Sequence, residues 1–248
     1  MKTRTPSTSS LPDYDASDYP AFAVTVDVVI LTMADGVLQV LLVRRGEKPF
    51  KGMLAIPGGF KRPDETLDDA ARRELCEETG VDVPTLLTQF GAYGDPGRDP
   101  RTNVVTVGYV AVVRDVGAIV AGTDAADAGL VPVADVLEER CELAFDHVRI
   151  VRDAVDRVRV ELEVSGIAPA FVGTTFTLAE LRAVYEEIWG VQLDAANFRR
   201  SLVSENGWVI PTGRTARPGP GGGRPAELYR AGRAWKHGVP IHRNRERT

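Results

Sequence analysis

Residues 59–81 read GFKRPDETLDDAARRELCEETGV, and the rest of the chain can be placed around this segment. It carries three carboxylates, Glu74, Glu77 and Glu78, whose offsets of 0, 3 and 4 fall on one face of a helix. Like charges so placed repel one another by about 0.2–0.5 kcal/mol per neighbouring pair at an exposed site. Because hard divalent cations take oxygen ligands and bridge to phosphates, the cluster indicates a cation site.

The segment also contains the signals that begin and end a helix. Thr66 is a good N-cap with Asp69 three residues later, the pattern of a capping box. Gly80 stands where a left-handed residue would end the helix. Upstream, Pro57-Gly58-Gly59 ends a short strand over residues 54–56. The glutamates are therefore predicted in the last turns of a short helix that follows a glycine loop.

The first two thirds of the chain predict a mixed α/β sandwich that ends near residue 165. Strand patterns rich in β-branched residues alternate with polar turns and with amphipathic helices. The predicted elements beside the glutamate helix are a β-hairpin over residues 21–45, strands over 86–93, 104–113 and 130–133, and a helix over 146–164. Residues 165–169 are predicted to form a linker.

Residues 166–248 predict a winged helix-turn-helix. Thr177 and Glu180 form a second capping-box pattern at the start of an amphipathic helix. A second helix starts at or near Asp194, and two strand-like segments follow on either side of an arginine- and glycine-rich loop over residues 212–225. Helix, turn, helix and a basic β-hairpin are the outline of that DNA-binding motif.

The bulk composition is that of an ordinary soluble globular protein. Of the 248 residues, 44% are hydrophobic and 26% are charged, which is enough apolar material for one large domain or two modest ones. Residues 1–20 lack an apolar signal core and predict a disordered tail, and no apolar run predicts a membrane span. Cys76 and Cys141 form neither a disulfide framework nor a zinc site, so a reducing cytoplasm is the expected location.

The net charge of −5 conceals a difference between the two halves. Residues 1–165 carry 18 Lys and Arg against 28 Asp and Glu, whereas residues 166–248 carry 12 against 7. All but one of those 12 basic residues are arginines. A basic second half indicates a nucleic-acid partner, although a solvated basic surface without a partner would give the same charge.

The opening segment resembles the Nudix box, Gly-x5-Glu-x7-Arg-Glu-U-x-Glu-Glu-x-Gly-U with U aliphatic, and it matches all nine restricted positions. The resemblance implies a Nudix domain over residues 21–165, an α/β/α sandwich with a mixed sheet. Proteins of that family cleave nucleoside diphosphates linked to another moiety. A bound metal would neutralise the pyrophosphate and help activate the attacking water.

The resemblance also implies roles for individual box residues. The catalytic set comprises Glu65, Arg73, Glu74, Glu77 and Glu78. The last three would coordinate magnesium or manganese as metal ligands, Arg73 would orient them, and Glu65 would support the loop and the helix.

Four residues near the acidic cluster are predicted to contact the ligand. Gly58 and Gly59 would let the backbone approach it closely, because glycine has no side chain. Arg44 and Arg45, at the end of the second strand, would meet its phosphates, with plain surface charge as the competing account. The family often carries a tryptophan where this chain has Leu54. If that tryptophan stacks on the ligand base, affinity or specificity would differ here.

The whole chain is similar to a narrower group, the Nudix-related transcriptional regulators of NAD metabolism. The resemblance covers about residues 20–235 and includes LAFDH at 143–147 and NFRRSL at 197–202. In those proteins the Nudix domain senses ADP-ribose, while the winged helices of a homodimer bind a palindromic operator and repress genes of NAD synthesis or salvage. The implied partners are double-stranded operator DNA and ADP-ribose or a related NAD metabolite.

The DNA contacts that this resemblance implies lie on one helix and one loop. The predicted DNA-binding residues are Asn197, Arg199, Arg200, Arg214, Arg217 and Arg224. The first three lie on the helix that would enter the major groove, where arginine pairs with guanine and asparagine with adenine. The last three lie in the wing and would grip phosphate or the minor groove.

Two other functions stay open on the sequence alone. Many members of the regulator family have a degraded box and no hydrolase activity, whereas this box is intact. The chain could therefore be a metal-dependent ADP-ribose pyrophosphohydrolase whose second domain only packs or dimerises, although the basic second half argues against this. A Nudix enzyme that acts on RNA ends is a third reading, without a supporting aromatic platform.

Overall fold

The computed structural model describes residues 15–79, 86–114, 125–203, 207–216 and 225–243. The side chains of residues 16, 78, 79 and 125–127 lie outside the described part. So do residues 1–14 of the predicted disordered tail and the predicted helix end at Gly80. The rest of that tail includes one turn of 3-10 helix, Ala16–Asp18.

A seven-stranded sheet forms the centre of the first domain. Its strands are β1 (Ala23–Ala34), β2 (Val37–Arg45), β3 (Leu54–Ala55), β4 (Gly58–Phe60), β5 (Leu86–Tyr93), β6 (Val104–Val112) and β7 (Ala125–Pro132). β1 and β6 are parallel and the other pairs are antiparallel. The spatial order is β3-β2-β1-β6-β5, with β4 also beside β1 and β7 beside β2. The predicted mixed sheet is confirmed.

The α-helices in the described part of the chain are α1 (Leu67–Thr79), α2 (Val133–Leu137), α3 (His147–Val164), α4 (Leu178–Trp189) and α5 (Ala195–Val203). Of these, α1 covers one face of the sheet and α3 covers the other. Because side chains alternate along a strand, Val28 and Ile30 of β1 pack in the layer of α1, and Val29 and Leu31 in the layer of α3. The result is the predicted α/β/α sandwich. No helix among the described residues is long and apolar enough to cross a membrane.

The helix starts follow the predicted caps. The Thr66 hydroxyl accepts a hydrogen bond from the Asp69 amide at 3.1 Å, and the Asp69 carboxylate accepts one from the Thr66 amide at 3.2 Å. Thr177 and Glu180 exchange the same two bonds at the start of α4. Gly190, in the left-handed region with φ 66°, ends α4.

The structure departs from the prediction at two strand boundaries. Residues 57–59 were expected to end a strand, yet Gly58–Phe60 form β4 and pair with β1. Glycines weaken a strand locally, but here residues 25–27 of β1 provide the backbone partners with which residues 58–60 pair. The predicted last strand over residues 130–133 begins earlier and ends at Pro132, and Val133 begins α2.

The predicted linker over residues 165–169 is packed rather than extended. Ile167 is 7% exposed, Ala168 is fully buried, and the chain continues into the 3-10 helix Ala168–Phe171. A Cβ placed on Gly166 would lie 1.9 Å from the carbonyl oxygen of Trp235. The apolar residues within this linker-like segment therefore join it to the core.

The second domain is a winged helix-turn-helix, as predicted. α4 and α5 are followed by β8 (Val209–Thr215) and β9 (Glu227–Ala231), which form an antiparallel hairpin. Its core includes edge-to-face ring contacts of Tyr185 with Trp189 and with Phe198. A 3-10 helix, Arg233–Lys236, follows β9 and was not predicted.

The two domains are joined by one continuous core and by hydrogen bonds to α4. Arg159 of α3 donates from Nε to the carbonyl oxygen of Ile188 at 2.9 Å, and the indole of Trp189 donates to the carbonyl oxygen of Arg159 at 3.3 Å. At the start of β2, the Leu38 amide donates to Glu187 at 3.0 Å. The domain boundary at residue 165 stays a prediction.

Candidate functional site

A cavity of about 570 Å³ opens in the first domain between the glycine loop, α1 and the ends of β1 and β2. Seven of the predicted site residues line it: Arg44, Arg45, Gly58, Gly59, Arg73, Glu74 and Glu77. Glu65 is hydrogen-bonded to Arg73, which lines the cavity, but is not itself among the lining residues. Glu78 belongs to the last turn of α1, but its side chain lies outside the described part. Leu54 does not line the cavity.

Arg73 is the centre of the acidic cluster. Its guanidinium donates to both carboxylate oxygens of Glu65, at 3.0 and 2.8 Å, and to the carbonyl oxygen of Phe60 at 3.1 Å. Its Nη1 also donates to Glu74 at 2.6 Å and to Glu77 at 3.1 Å. One arginine therefore holds three carboxylates of the box, which offsets their mutual repulsion.

These contacts shift the pKa values of the cluster. Hydrogen bonds from Arg73, and then from the Arg62 amide, lower the pKa of Glu65 to about 2. Burial raises the pKa of Glu74, and the contact with Arg73 opposes this rise. Glu65 is thus ionised at neutral pH, whereas a nearby cation would favour the ionised form of the partly buried Glu74.

Both glycines of the loop are required by close packing. A Cβ on Gly59 would lie 2.3 Å from Oε1 of Glu74, and a Cβ on Gly58 would lie 2.4 Å from the carbonyl oxygen of Val26. A side chain at Gly58 would clash with the backbone of β1, and one at Gly59 would displace the carboxylate of Glu74. The loop therefore lies directly against the acidic cluster and against β1.

The two predicted arginines of β2 lie at the cavity in different settings. Arg44 donates from Nη1 to the carbonyl oxygen of Gly52 at 2.7 Å. Arg45 donates from Nε to the carbonyl oxygen of Pro49 at 2.9 Å, and its guanidinium lies 4.8 Å from the centre of the Phe145 ring. Both side chains are anchored by backbone carbonyls at the rim.

A buried charged group at the base of the cavity was missed by sequence reasoning. Burial raises the pKa of Asp27 to about 6, and Arg98, 3.5 Å away, opposes this rise. Arg98 also binds Asp146 through two hydrogen bonds, at 3.0 and 2.7 Å. His147 accepts a hydrogen bond at Nδ1 from the Ile56 amide at 3.1 Å, and burial lowers its pKa to about 3.

A cationic and aromatic rim was missed as well. The guanidinium of Arg101 lies 5.2 Å from the ring centre of Phe60 and 5.8 Å from that of Phe145. Asp99 fixes Arg101, accepting hydrogen bonds from Nε at 3.0 Å and from Nη2 at 2.7 Å. Planar rings and guanidinium groups at the mouth of a cavity favour a ligand that has both a flat base and phosphates.

Weak sequence signals existed for some of these residues. Asp27 is the one charged residue within the strand pattern AVTVDVVILTM, where a buried carboxylate indicates a specific role. Phe145 and His147 lie within LAFDH, which supports the family resemblance but predicts no role for either residue. Nothing in the sequence places Arg98 or Arg101 beside them, because the loop that carries both is distant in the chain.

The donor set fits a hard divalent cation. Glu74 and Glu77 share Nη1 of Arg73, so their carboxylates lie side by side at the cavity. Carboxylate oxygens are the ligands that magnesium and manganese prefer. Among the described side chains no group of three or more His, Cys, Asp or Glu is arranged to hold a metal ion, and the side chain of Glu78 is not among them.

Four of the six predicted DNA-binding residues belong to the described part of the chain, and all four are exposed. Asn197, Arg199 and Arg200 are exposed on α5, and Arg214 is exposed on β8. Arg199 also donates a hydrogen bond from Nη1 to the hydroxyl of Tyr229 at 3.1 Å. The two remaining wing residues, Arg217 and Arg224, lie outside the described residues.

Comparisons with known proteins agree with this two-part architecture. Residues 21–154 match the NUDIX domain family, and residues 170–231 match the NrtR DNA-binding winged helix domain. The fold and the cavity thus define a Nudix protein with a DNA-binding module attached.

Three relatives illustrate the two parts. The "ADPR responsive transcriptional repressor NtrR" of Acinetobacter baylyi is 35% identical over 222 residues, 89% of this chain and 86% of that protein. The ADP-ribose pyrophosphatase of Methanocaldococcus jannaschii is 38% identical over 123 residues, 48% of this chain and 69% of that protein.

The third relative is Shewanella oneidensis NrtR. Its structure with a 27-mer DNA has a TM-score of 0.71 and 35% identity, and the match covers 84% of this chain and 93% of that one. Its NUDIX domain, solved with ADP-ribose, has a TM-score of 0.55 and 36% identity, with 62% of this chain and 99% of that one covered. The chain belongs to the NrtR family of Nudix-related transcriptional regulators.

Proposed function

We propose that the protein is an ADP-ribose-responsive, DNA-binding transcriptional repressor of NAD biosynthesis or salvage genes. The cavity of the first domain binds the nucleotide, and the winged helix-turn-helix binds double-stranded operator DNA. ADP-ribose or a related NAD metabolite changes the affinity for DNA. The names of the Acinetobacter and Shewanella relatives support both partners.

One observation carries the proposal: α3 connects the cavity with the DNA-binding domain. Its first residue, His147, lines the cavity, and Asp146 just before it binds Arg98. Twelve residues further on, about 18 Å along a helix, Arg159 is hydrogen-bonded to α4. A ligand that shifts the start of α3 would therefore act directly on the helix that supports α5.

The lining of the cavity suits a dinucleotide-like diphosphate. Arg44, Arg45 and Arg101 offer guanidinium groups to phosphates, and Phe60 and Phe145 offer flat apolar surfaces to a base. Guanidinium groups bind phosphate oxygens with paired hydrogen bonds. ADP-ribose carries both parts.

Magnesium or manganese would bind at Glu74 and Glu77, with Glu78 as the third ligand of the box. The metal would supply positive charge to the diphosphate of the ligand. Arg73 would hold the two described carboxylates in place, and Glu65 would hold Arg73.

A homodimer is the proposed assembly, because a palindromic operator requires two winged helices. Apolar side chains available for a second copy lie at the start of β1: Val24 is 37% exposed, and Phe22, just before the strand, is 54% exposed. The proposed location is the cytoplasm, on the chromosomal DNA.

A metal-dependent ADP-ribose pyrophosphohydrolase is the second candidate function. The intact box, with Arg73 holding Glu65, Glu74 and Glu77, favours it, and so does the similarity to the Methanocaldococcus enzyme. The two functions are compatible, since a regulator that slowly cleaves its ligand ends its own signal.

A paired assay on one preparation tests both candidates. A duplex that the protein selects from a randomised pool is titrated with and without ADP-ribose, and release of AMP and ribose 5-phosphate is measured with magnesium. Saturating ADP-ribose should change the dissociation constant for DNA, and DNA should change that for ADP-ribose by the same factor. An unchanged DNA affinity would refute the repressor function, and rapid hydrolysis without DNA selection would favour the enzyme.

A further inference from the structure

An acidic residue lies within the exposed basic surface of the second domain. Glu227 begins β9 and pairs in register with Thr215 of β8, the residue after Arg214. Its side chain is 42% exposed, and its Oε2 lies 3.8 Å from Nη2 of Arg199 on α5. A carboxylate at this position repels DNA phosphates, so its presence in a DNA-binding surface needs a physical reason.

Two donors surround this carboxylate. The Tyr229 hydroxyl donates a hydrogen bond to Oε2 of Glu227 and accepts one from Nη1 of Arg199 at 3.1 Å. Because side chains alternate along a strand, residues 227 and 229 lie on the same face of β9. A guanidinium group and a tyrosine hydroxyl are donor types that proteins use to bind DNA phosphates. The carboxylate of Glu227 thus occupies a position suited to an oxyanion.

The tyrosine donor is fixed, whereas the carboxylate can leave. The side chain of Tyr229 is 1% exposed, and its backbone exchanges two hydrogen bonds with Phe176, at 2.8 and 2.9 Å. The core therefore sets the position of the hydroxyl. Glu227 is exposed at the first position of its strand, so its side chain can turn away without disturbing this packing.

Arg199 also lies in the right place for a phosphate rather than a base. Phe198 and Leu202 form the buried face of α5. At 100° per residue, Arg200 points away from that face, while Arg199 lies on the flank towards the wing. When α5 enters a groove, a flank residue meets the sugar-phosphate backbone, and the residues opposite the core meet the bases.

We propose that Arg199 and Tyr229 form a DNA-phosphate subsite, which Glu227 occupies in the free protein and a phosphate of the bound duplex takes over. This inference rests on the proposed DNA-binding function. Phosphates are the same in every sequence, so displacement of Glu227 weakens binding to all duplexes by a similar factor. The carboxylate therefore limits retention on non-specific DNA without changing base preference.

Fluorescence anisotropy with Glu227→Gln tests the subsite. The probes are the duplex selected from a randomised pool and a scrambled duplex of the same composition, each at several KCl concentrations. E227Q should bind both duplexes about 3- to 10-fold more tightly than the wild type, with a salt dependence steeper by about one phosphate contact per subunit. Glu142→Gln, the same charge change on the first domain, should leave DNA binding unchanged.

The same measurement in an Arg199→Ala background links the gain to the subsite. R199A should remove most of the gain from E227Q, because the freed phosphate position then lacks its cation. Tyr229→Phe, which keeps the buried ring and deletes only the hydroxyl, should reduce the gain in the same way. If E227Q binds the scrambled duplex no more tightly than the wild type, or if the gain persists in R199A, the subsite is refuted. If the wild type binds no duplex at all, the proposed function fails as well.

Discussion

The imidazole Nε2 of His147 and the carboxylate Oδ2 of Asp27 lie 4.0 Å apart, and both side chains are buried. Burial disfavours the charged form of each group, so the pKa of Asp27 rises to about 6 and that of His147 falls to about 3. The two shifts act on stability in opposite directions as the pH changes.

We expect Asp27→Asn to lose stability more steeply than the wild type between pH 7 and pH 4. The contribution of Asp27 is fully present below its unfolded pKa of about 3.9 and is lost as the pH rises through about 6. The contribution of His147 is present above its unfolded pKa of about 6.5 and is lost as the pH falls towards about 3. In the wild type the two offset each other between about pH 4 and 6, and in D27N only the histidine contribution remains.

Urea unfolding at pH 4, 5, 6 and 7 measures this difference. The stability lost by D27N over that range should exceed the loss in the wild type by about 1–3 kcal/mol. His147→Gln provides the control of opposite sign, since its stability should rise on acidification relative to the wild type. Parallel curves for D27N and the wild type would contradict the assigned shift.

Gly59→Ala should weaken magnesium-dependent binding of ADP-ribose by more than about 10-fold. The new Cβ would lie 2.3 Å from Oε1 of Glu74, so the carboxylate must move away from its place beside Glu77. Isothermal titration calorimetry with and without magnesium measures the effect. Gly129→Ala is a matched control, because a Cβ there meets nothing within 4 Å. Equal affinities for G59A and the wild type would show that the position of Glu74 does not matter for the ligand.

Arg200→Ala should reduce the preference for the selected duplex over a scrambled one by about 5- to 100-fold, because a lost arginine–guanine pair costs about 1–3 kcal/mol. Arg200 points away from the buried face of α5 and so is placed to meet base edges. Arg199→Ala, one residue away, should weaken both duplexes similarly and leave the preference intact. The reverse pattern in competition anisotropy would exchange the roles of the two arginines.

The local signals in the sequence predicted the elements well, because each depends on neighbouring residues. The capping pairs at Thr66 and Thr177 mark the observed starts of α1 and α4, and the β-branched residues of segment 21–45 predicted the β1–β2 hairpin. The short strand β4 was missed because its glycines carry no strand preference, and only pairing with β1 makes it a strand.

The candidate site was only half predictable, because the missing half comes from distant segments. Arg73, Glu74 and Glu77 lie close together on α1, and the Nudix-box resemblance already implied that the arginine orients the glutamates. Asp27, Arg98 and His147 come from three different elements, and only the folded chain brings them together. For the same reason the contact between Arg199 and Tyr229 was not predicted, since the two residues lie 30 positions apart in the chain.

The double variant Arg159→Ala/Glu187→Ala should bind DNA and ADP-ribose separately but lose the coupling between them. Arg159 and Glu187 make two of the hydrogen bonds that hold α4 to α3 and to the start of β2, and the variant leaves the bond from the Trp189 indole in place. Neither residue lines the cavity or lies on α5, so each binding site stays complete.

Anisotropy titrations of the selected duplex with and without ADP-ribose give the coupling factor directly. Couplings of this kind are typically about 5- to 150-fold, and the factor in the double variant should move towards 1. Asp156→Asn is the matched control. Asp156 accepts a hydrogen bond from Nη1 of Arg159 at 2.7 Å at an exposed position, and this bond lies within α3 and does not involve α4. If the double variant keeps the coupling of the wild type, these two hydrogen bonds do not carry the signal.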